Sequence, residues 1–208
     1  MLRALVGTRT DRSPRRVAVV GNAPVDPSAD RAERIDSADL VVRMTTFAVD
    51  DGTPCIGRRT DVVVLHRATT TGPGTFAEYR RRVYLLAEPG RLFYETEAVP
   101  VWWPADLAIV PISNREFTRP LRKALGFGGL NVAWPTTGTL AVHLMRRLFP
   151  HAQIDFAGTT VDEPDAGADG RFAHHWGEPV TLTPEHDLDA ERRLLDRWRR
   201  AGWLAVLP

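Results

Sequence analysis

Val17-Ala18-Val19-Val20-Gly21-Asn22 is the stretch on which the reading of this chain turns. Four apolar residues in succession, three of them valine, describe a short strand covered on both faces. The Gly-Asn pair then ends it in a turn where backbone can come close to a ligand. Similar apolar runs recur outward from this point. Leu40 to Val42, Asp61 to Leu65, Val83 to Ala87, Leu107 to Val110 (stopped by Pro111) and Gln153 to Ala157 (stopped by Gly158) all read as strands. Between them lie helical stretches at Ser28 to Arg34, Thr75 to Arg82 and Phe117 to Leu125, the last closed by Gly126 to Gly129. Thr137 to Phe149 is the clearest helix, with Leu140, Leu144 and Leu148 four residues apart and Arg146-Arg147 in its last turn. A final helix is expected from Pro184 to Trp198, capped by Thr183. Strands alternating with helices indicate an α/β parallel sheet. Ligands of such sheets sit beyond the carboxyl ends of the strands, where Asn22, Met44-Thr45-Thr46 and Thr159-Thr160 fall.

The 208 residues suit one domain, expected over 17–208, with 1–16 as a loose leader. The apolar share of 43% is enough for a sizeable core. The 27 basic and 26 acidic residues nearly cancel, and a net charge of +1 calls for neither nucleic acid nor a membrane surface as partner. Arg80-Arg81-Arg82 and Arg199-Arg200 read as solvated helix faces. Cys55 is the one cysteine, so an intrachain disulfide is excluded and a cytoplasmic setting is expected. No apolar run reaches the roughly 18 residues of a membrane span, so no integral membrane segment is expected. Val161 to Gly170, acidic and glycine-bearing, reads as a mobile loop.

Four short stretches carry chemistry. Gly21-Asn22 follows a strand, and an asparagine amide there can donate to a phosphate; a plain strand-end turn also explains it. It matches neither a G-x-G-x-x-G nor a Walker loop. Pro135-Thr136-Thr137-Gly138 opens a helix, where exposed N–H groups and two hydroxyls suit an anion; Thr136 as a simple N-cap is the alternative. His174-His175-Trp176 brings two adjacent imidazoles that point apart, a poor metal pair but compatible with one histidine at a phosphate. His186, placed in the first turn of the last helix, would be kept neutral by the helix dipole and so be ready to accept a proton. Glu191, five residues on, is offset in direction from His186 and better suited to anchor the helix or a neighbouring loop. Asp187-Leu188-Asp189 imitates the acidic D-x-D of metal-dependent glycosyltransferases, but lies within a capped helix rather than a loop, so no metal site is assigned. His143 sits among apolar helical neighbours and reads as structural.

In their order along the chain these stretches resemble the sialyltransferase family that includes the animal Golgi enzymes (glycosyltransferase family 29), here as a short, bacterial-type relative. VAVVGNAPVDPSADRAERIDSADLVVR, from Val17 to Arg43, resembles its large motif, and Gly57-Arg58-Arg59-Thr60-Asp61 the segment that follows. PTTGTLAVHLMRRLFPHAQIDFAG, from Pro135 to Gly158, resembles the small motif, His175-Trp176 the third, and His186 to Glu191 the very small H-x-x-x-x-E motif. The resemblance implies a Rossmann-like sheet of variant GT-A type, a CMP-sugar donor, a glycan or small-molecule hydroxyl acceptor, and inverting transfer without metal or other cofactor. It implies that Gly21 and Asn22 meet the CMP phosphate, and that Thr136, Thr137 and Gly138 line the cytidine and donor sugar. His175 would steady the departing phosphate with His174 and Glu191 in support, and His186 would be the base. Thr45 stands where the family has a second donor-site asparagine, and Val17 where it has the first cysteine of a disulfide. Two other readings stand beside this one: a hydrolase of CMP-linked nucleotides, and a non-catalytic cytidine-nucleotide-binding module.

Overall fold

The computed structural model describes residues 2–7, 13–66, 73–87, 103–128, 133–159, 171–174, 177–181 and 186–208. Strand β1 (Arg16–Val20) lies inside a seven-stranded sheet with β2 (Leu40–Met44), β3 (Val62–His66), β4 (Val83–Ala87), β5 (Ile109–Pro111), β6 (Gln153–Ala157) and β9 (Leu204–Val206). The spatial order is β5-β4-β3-β2-β1-β6-β9, and every pairing is parallel. The chain winds outward from β1 to β5 and then returns to place β6 on the other side of β1. Between β1 and β6 the winding direction reverses, and such a switch point opens a crevice at the carboxyl ends of the strands. Strands β7 (Arg171–His174) and β8 (Gly177–Thr181) form a separate antiparallel pair with an irregular register between Phe172 and His174.

The unbroken apolar runs are explained by what covers each face. Val17, Val19, Val42, Val64 and Leu85 point to one side, beneath helix α5 (Thr137–Leu148) and helix α6 (Leu188–Arg200), with Leu140, Leu144, Met145, Leu194 and Leu195. Ala18, Val20 and Val41 point to the other, against Ile35 of helix α2 (Ala29–Asp36) and Ile56. Val63, Leu65, Tyr84 and Leu86 continue that second face with Phe47. Helix α1 (Leu2–Gly7), within the stretch read as a leader, buries Val6 in the first of these clusters.

Several elements depart from their sequence expectation, each for a local reason. Thr75 to Arg82 is not one helix: α3 (Pro73–Phe76) and a 3₁₀ turn (Tyr79–Arg81) are separated at Glu78, whose backbone is left-handed at φ 52°. Pro111 does not stop β5 but belongs to it, which an edge strand permits because its N–H side needs no ladder partner. A π-helical turn (Asn114–Thr118) precedes α4 (Arg119–Ala124). The last helix starts at Leu188, because the Asp187 side chain accepts the Ala190 amide at 2.9 Å and caps it there. His186 therefore precedes this helix and is not in its first turn. Thr183 and Pro184, like Thr160, Val161 to Gly170, His175 and Trp176, lie outside the described residues. The short pair β7–β8 and strand β9 had no expectation at all.

Much of the large-motif resemblance proves to be scaffold. Arg43, fully buried, donates to the carbonyls of Ile56 at 2.8 Å, Gly57 at 3.0 Å and Arg59 at 3.1 Å. Burial pulls its guanidinium down to about 10, against the opposing fields of Asp36 and Asp50. Asp36 accepts the amides of Arg58 and Arg59, and Asp61 accepts that of Val41 at 2.8 Å. These charges hold the 46–61 loop against β2, just behind the carboxyl ends of the central strands.

Candidate functional site

Gly21 and Gly158 meet at the switch point. They end β1 and β6, and a Cβ on Gly21 would lie 2.2 Å from the Gly158 carbonyl oxygen, too close for any side chain. The Gly21 amide donates to Ala157 O at 2.8 Å and the Ala23 amide to Gly158 O at 3.0 Å. Gly158 itself is left-handed at φ 61°. This close approach holds the two strand ends together and leaves the space beyond them open.

A cavity of about 210 Å³ occupies that space. Gly21, Asn22 and Thr45 line it from the strand ends, and Thr136, Thr137 and Gly138 from the start of α5. Glu191 and Arg192 of α6 and His174 of β7 complete the wall. Eight of the ten residues singled out from sequence thus converge from five separate regions of the chain. His175 lies outside the described residues, and His186 is not among the lining residues. Met44, Phe156, Leu188 and Arg192 also line it and had no sequence signal; Gly158 and Thr159 were legible only as a strand end.

Thr45 has φ 53°, a conformation a β-branched residue adopts only under strain. Its amide donates to Val64 O at 2.9 Å and its carbonyl accepts the Thr75 hydroxyl at 3.2 Å, so both neighbours of the turn enforce it. Asn22 faces the same turn: its Nδ2 donates to Thr46 O at 2.9 Å and lies 3.4 Å from Met44 O and from Thr45 Oγ1. The amide nitrogen is therefore turned toward strand-end acceptors, and the buried Oδ1 accepts from no described residue.

At the opposite wall, Thr136 caps α5 and its hydroxyl accepts the Thr139 amide at 3.3 Å. Glu191, 1% exposed, reaches this cap from α6. Its carboxylate accepts the Thr136 amide at 2.8 Å, the Thr136 hydroxyl at 2.6 Å and the Thr139 hydroxyl. Burial pushes the Glu191 carboxyl up, outweighing these donors and the nearby charge of His186. The carboxylate is consumed by the scaffold, and Thr137 and Gly138 are left as the first helical residues facing the cavity, at the positive end of the α5 dipole.

His186 Nδ1 stands 2.8 Å from Trp134 O. A carbonyl only accepts, so Nδ1 carries a hydrogen, and in the neutral ring Nε2 is the nitrogen left to accept. Trp134 in turn lies under Arg122, whose guanidinium is 4.5 Å from the ring centroid and whose Nε donates to Ala133 O at 3.2 Å. His174 is partly buried, and that burial lowers its pKa. Of the D-x-D imitation, Asp187 is spent as a helix cap and Asp189 pairs with Arg192 at 2.7 Å.

No protein-family model matches the chain, and no curated protein matches it in sequence. Solved structures do. A crystal structure of a mammalian sialyltransferase in complex with Gal-beta-1-3GalNAc-ortho-nitrophenol superposes with a TM-score of 0.65 at 18% identity, covering 97% of this chain and 76% of that one. A second crystal structure of a mammalian sialyltransferase gives 0.62, with the same identity and coverage. The parallel sheet flanked by helices is thus a sialyltransferase-like fold.

Proposed function

We propose that this protein is a CMP-sugar-dependent, inverting, metal-independent glycosyltransferase of variant GT-A architecture, moving sialic acid or a related acidic sugar onto an acceptor hydroxyl. The observation that carries the proposal is the convergence of Gly21, Asn22, Thr45, Thr136, Thr137, Gly138 and His174 on one cavity at the switch point. The likeness to the mammalian sialyltransferases supports the architecture. The sequence resemblance supports CMP as the nucleotide.

In this reading the phosphate of the donor sits at the start of α5, where helix polarity favours an anion. Asn22 and Thr45 shape the opposite wall. The acceptor oxygen attacks the anomeric carbon as its proton passes to His186 Nε2. The bond from that carbon to the phosphate oxygen breaks, and CMP leaves with the electron pair. Fixing Nδ1–H on Trp134 O orients the ring so that Nε2 is the accepting atom. His175 would steady the leaving phosphate, and no metal is needed in this scheme because the helix start and imidazole groups supply the compensation. The lone Cys55, buried, suits a reducing, cytoplasmic setting.

Calorimetric titration with CMP, UDP and GDP, with and without EDTA, tests the donor. Selective CMP binding indifferent to EDTA is expected, and a metal-dependent preference for UDP or GDP overturns the reading. His186→Ala tests the base: transfer from CMP-sialic acid falls by at least about a hundredfold while CMP affinity is retained. Release of free sugar from the donor without acceptor would instead make the protein a hydrolase. Tight CMP binding with no turnover of any donor would make it a binding module.

A further inference from the structure

The near-zero net charge conceals an uneven surface. Arg115, Arg119 and Lys123 are four residues apart through the π-helical turn and α4, and all are exposed. Arg193, Arg197 and Arg200 lie at spacings of four and three along α6, and are exposed as well. Spacings of three and four put residues on one helix face, so each triplet is a stripe, about 12 Å and about 10 Å long at 1.5 Å per residue. The two stripes adjoin: Arg197 donates to Ala124 O at the end of α4 at 3.0 Å. None of these six cations makes an ion pair with a described residue. Glu116, in the π-helical turn, is an exposed acid beside the first stripe, while Asp196 is taken by Arg199 at 3.6 Å.

The other exposed arginine cluster differs. Arg80 is paired with Asp106 at 3.0 Å and Arg81 with Glu78 at 3.8 Å. The Arg80–Arg81 cluster is thus neutralised locally, whereas the α4 and α6 stripes are not. That face also adjoins the proposed site, since Arg122 of α4 lies over Trp134, whose carbonyl holds His186.

We infer that the α4–α6 face docks the protein on an anionic lipid bilayer, peripherally and without insertion. Clusters of four to eight unpaired cations on helices are the size that anionic headgroups recognise. A bilayer presents its charge as a plane, which two adjoining stripes can meet together. The described residues of the face expose no large apolar side chain; the exposed ones, Leu5 and Val49, lie on other elements. Contact is therefore electrostatic and released by salt. Nucleic acid fits less well: a pI of about 8.0 is below the range typical of its binders, and the stripes carry no aromatic platform for bases. Docking on this face would bring His186 to the membrane side of the molecule, so the acceptor hydroxyl would be one carried at a membrane surface. That last step rests on the proposed function; the docking does not.

Co-sedimentation of the full chain with vesicles of phosphatidylcholine, alone or with one-third phosphatidylglycerol, tests this at low and high salt. Binding only to the phosphatidylglycerol vesicles, reversed by high salt, is expected. The triple variant Arg193→Gln, Arg197→Gln, Arg200→Gln should lose on the order of a hundredfold in partition. Arg115→Gln, Arg119→Gln, Lys123→Gln should lose a similar amount from the other stripe, and the pair Arg80→Gln, Arg81→Gln should lose none. Circular dichroism confirms that each variant is folded. No preference for phosphatidylglycerol, unchanged partition in both triple variants, or tighter capture by a DNA duplex than by the vesicles would overturn the inference. Vesicle docking with no CMP binding would leave this inference standing and sink the proposed chemistry alone.

Discussion

Glu191 accepts both the amide and the hydroxyl of Thr136, at 2.8 and 2.6 Å, across 55 residues of sequence. This joins the start of α5 to α6, the two helices that form one wall of the cavity. A carboxylate five residues from the proposed base His186 invites a catalytic role, but the donors it accepts from are those of the α5 cap. Its work is to set where the N-terminus of α5 points.

Glu191→Ala should cost about 3 kcal/mol, because it strands a buried amide and two hydroxyls, and should weaken CMP binding as α5 shifts. Glu191→Gln should cost less, since the two hydroxyls can turn to accept. The pH dependence separates the two causes. The Glu191 pKa is raised in the fold above its unfolded value near 4.5. The stability it contributes is then complete below that value and declines as pH rises through the raised one. Urea unfolding across this range should show a flatter pH dependence for Glu191→Gln than for the parent.

Thr45→Asn should stabilise the fold by about 1 kcal/mol. The left-handed backbone at φ 53° is costly for a β-branched side chain and is tolerated by asparagine, whose short amide bonds locally. An unfolding midpoint no higher than that of the parent would mean the hydroxyl contact with Asn22 outweighs the strain.

His143 has a separate acid signature. Its ring stacks on Trp198 with centroids 6.1 Å apart, and its buried Nε2 has no hydrogen-bond partner among the described residues. Burial, helped by Arg147, lowers its pKa from 6.5 to about 4. The unfolded chain therefore binds the proton first as pH falls, and stability present above pH 6.5 is lost toward 4. The full span is worth at most about 3 kcal/mol. His143→Phe keeps the stacking and removes the proton, so its urea midpoint should fall less between neutral and mildly acidic pH than the parent's does.

What the sequence determined by itself was most of the regular elements that local pattern controls. Apolar runs placed six of the seven sheet strands, because a strand covered on both faces is apolar over most of its length. Leucines at a spacing of four placed α5, and Thr136 before Gly138 placed its cap. The order of the short motifs also named eight of the residues that line the cavity. Tertiary structure decided what depends on partners far along the chain. The start of α6 at Leu188 is local instead, an Asp187 cap on the Ala190 amide three residues on. Glu191 became an anchor because folding brought Thr136 to it. Thr45 took a strained backbone because Val64 and Thr75 hold it from either side. The cationic face is invisible in a net charge of +1, since composition sums charges that only packing separates into paired and unpaired. Periodicity reports which side of an element is buried, and it carries no information on which distant group will meet that side.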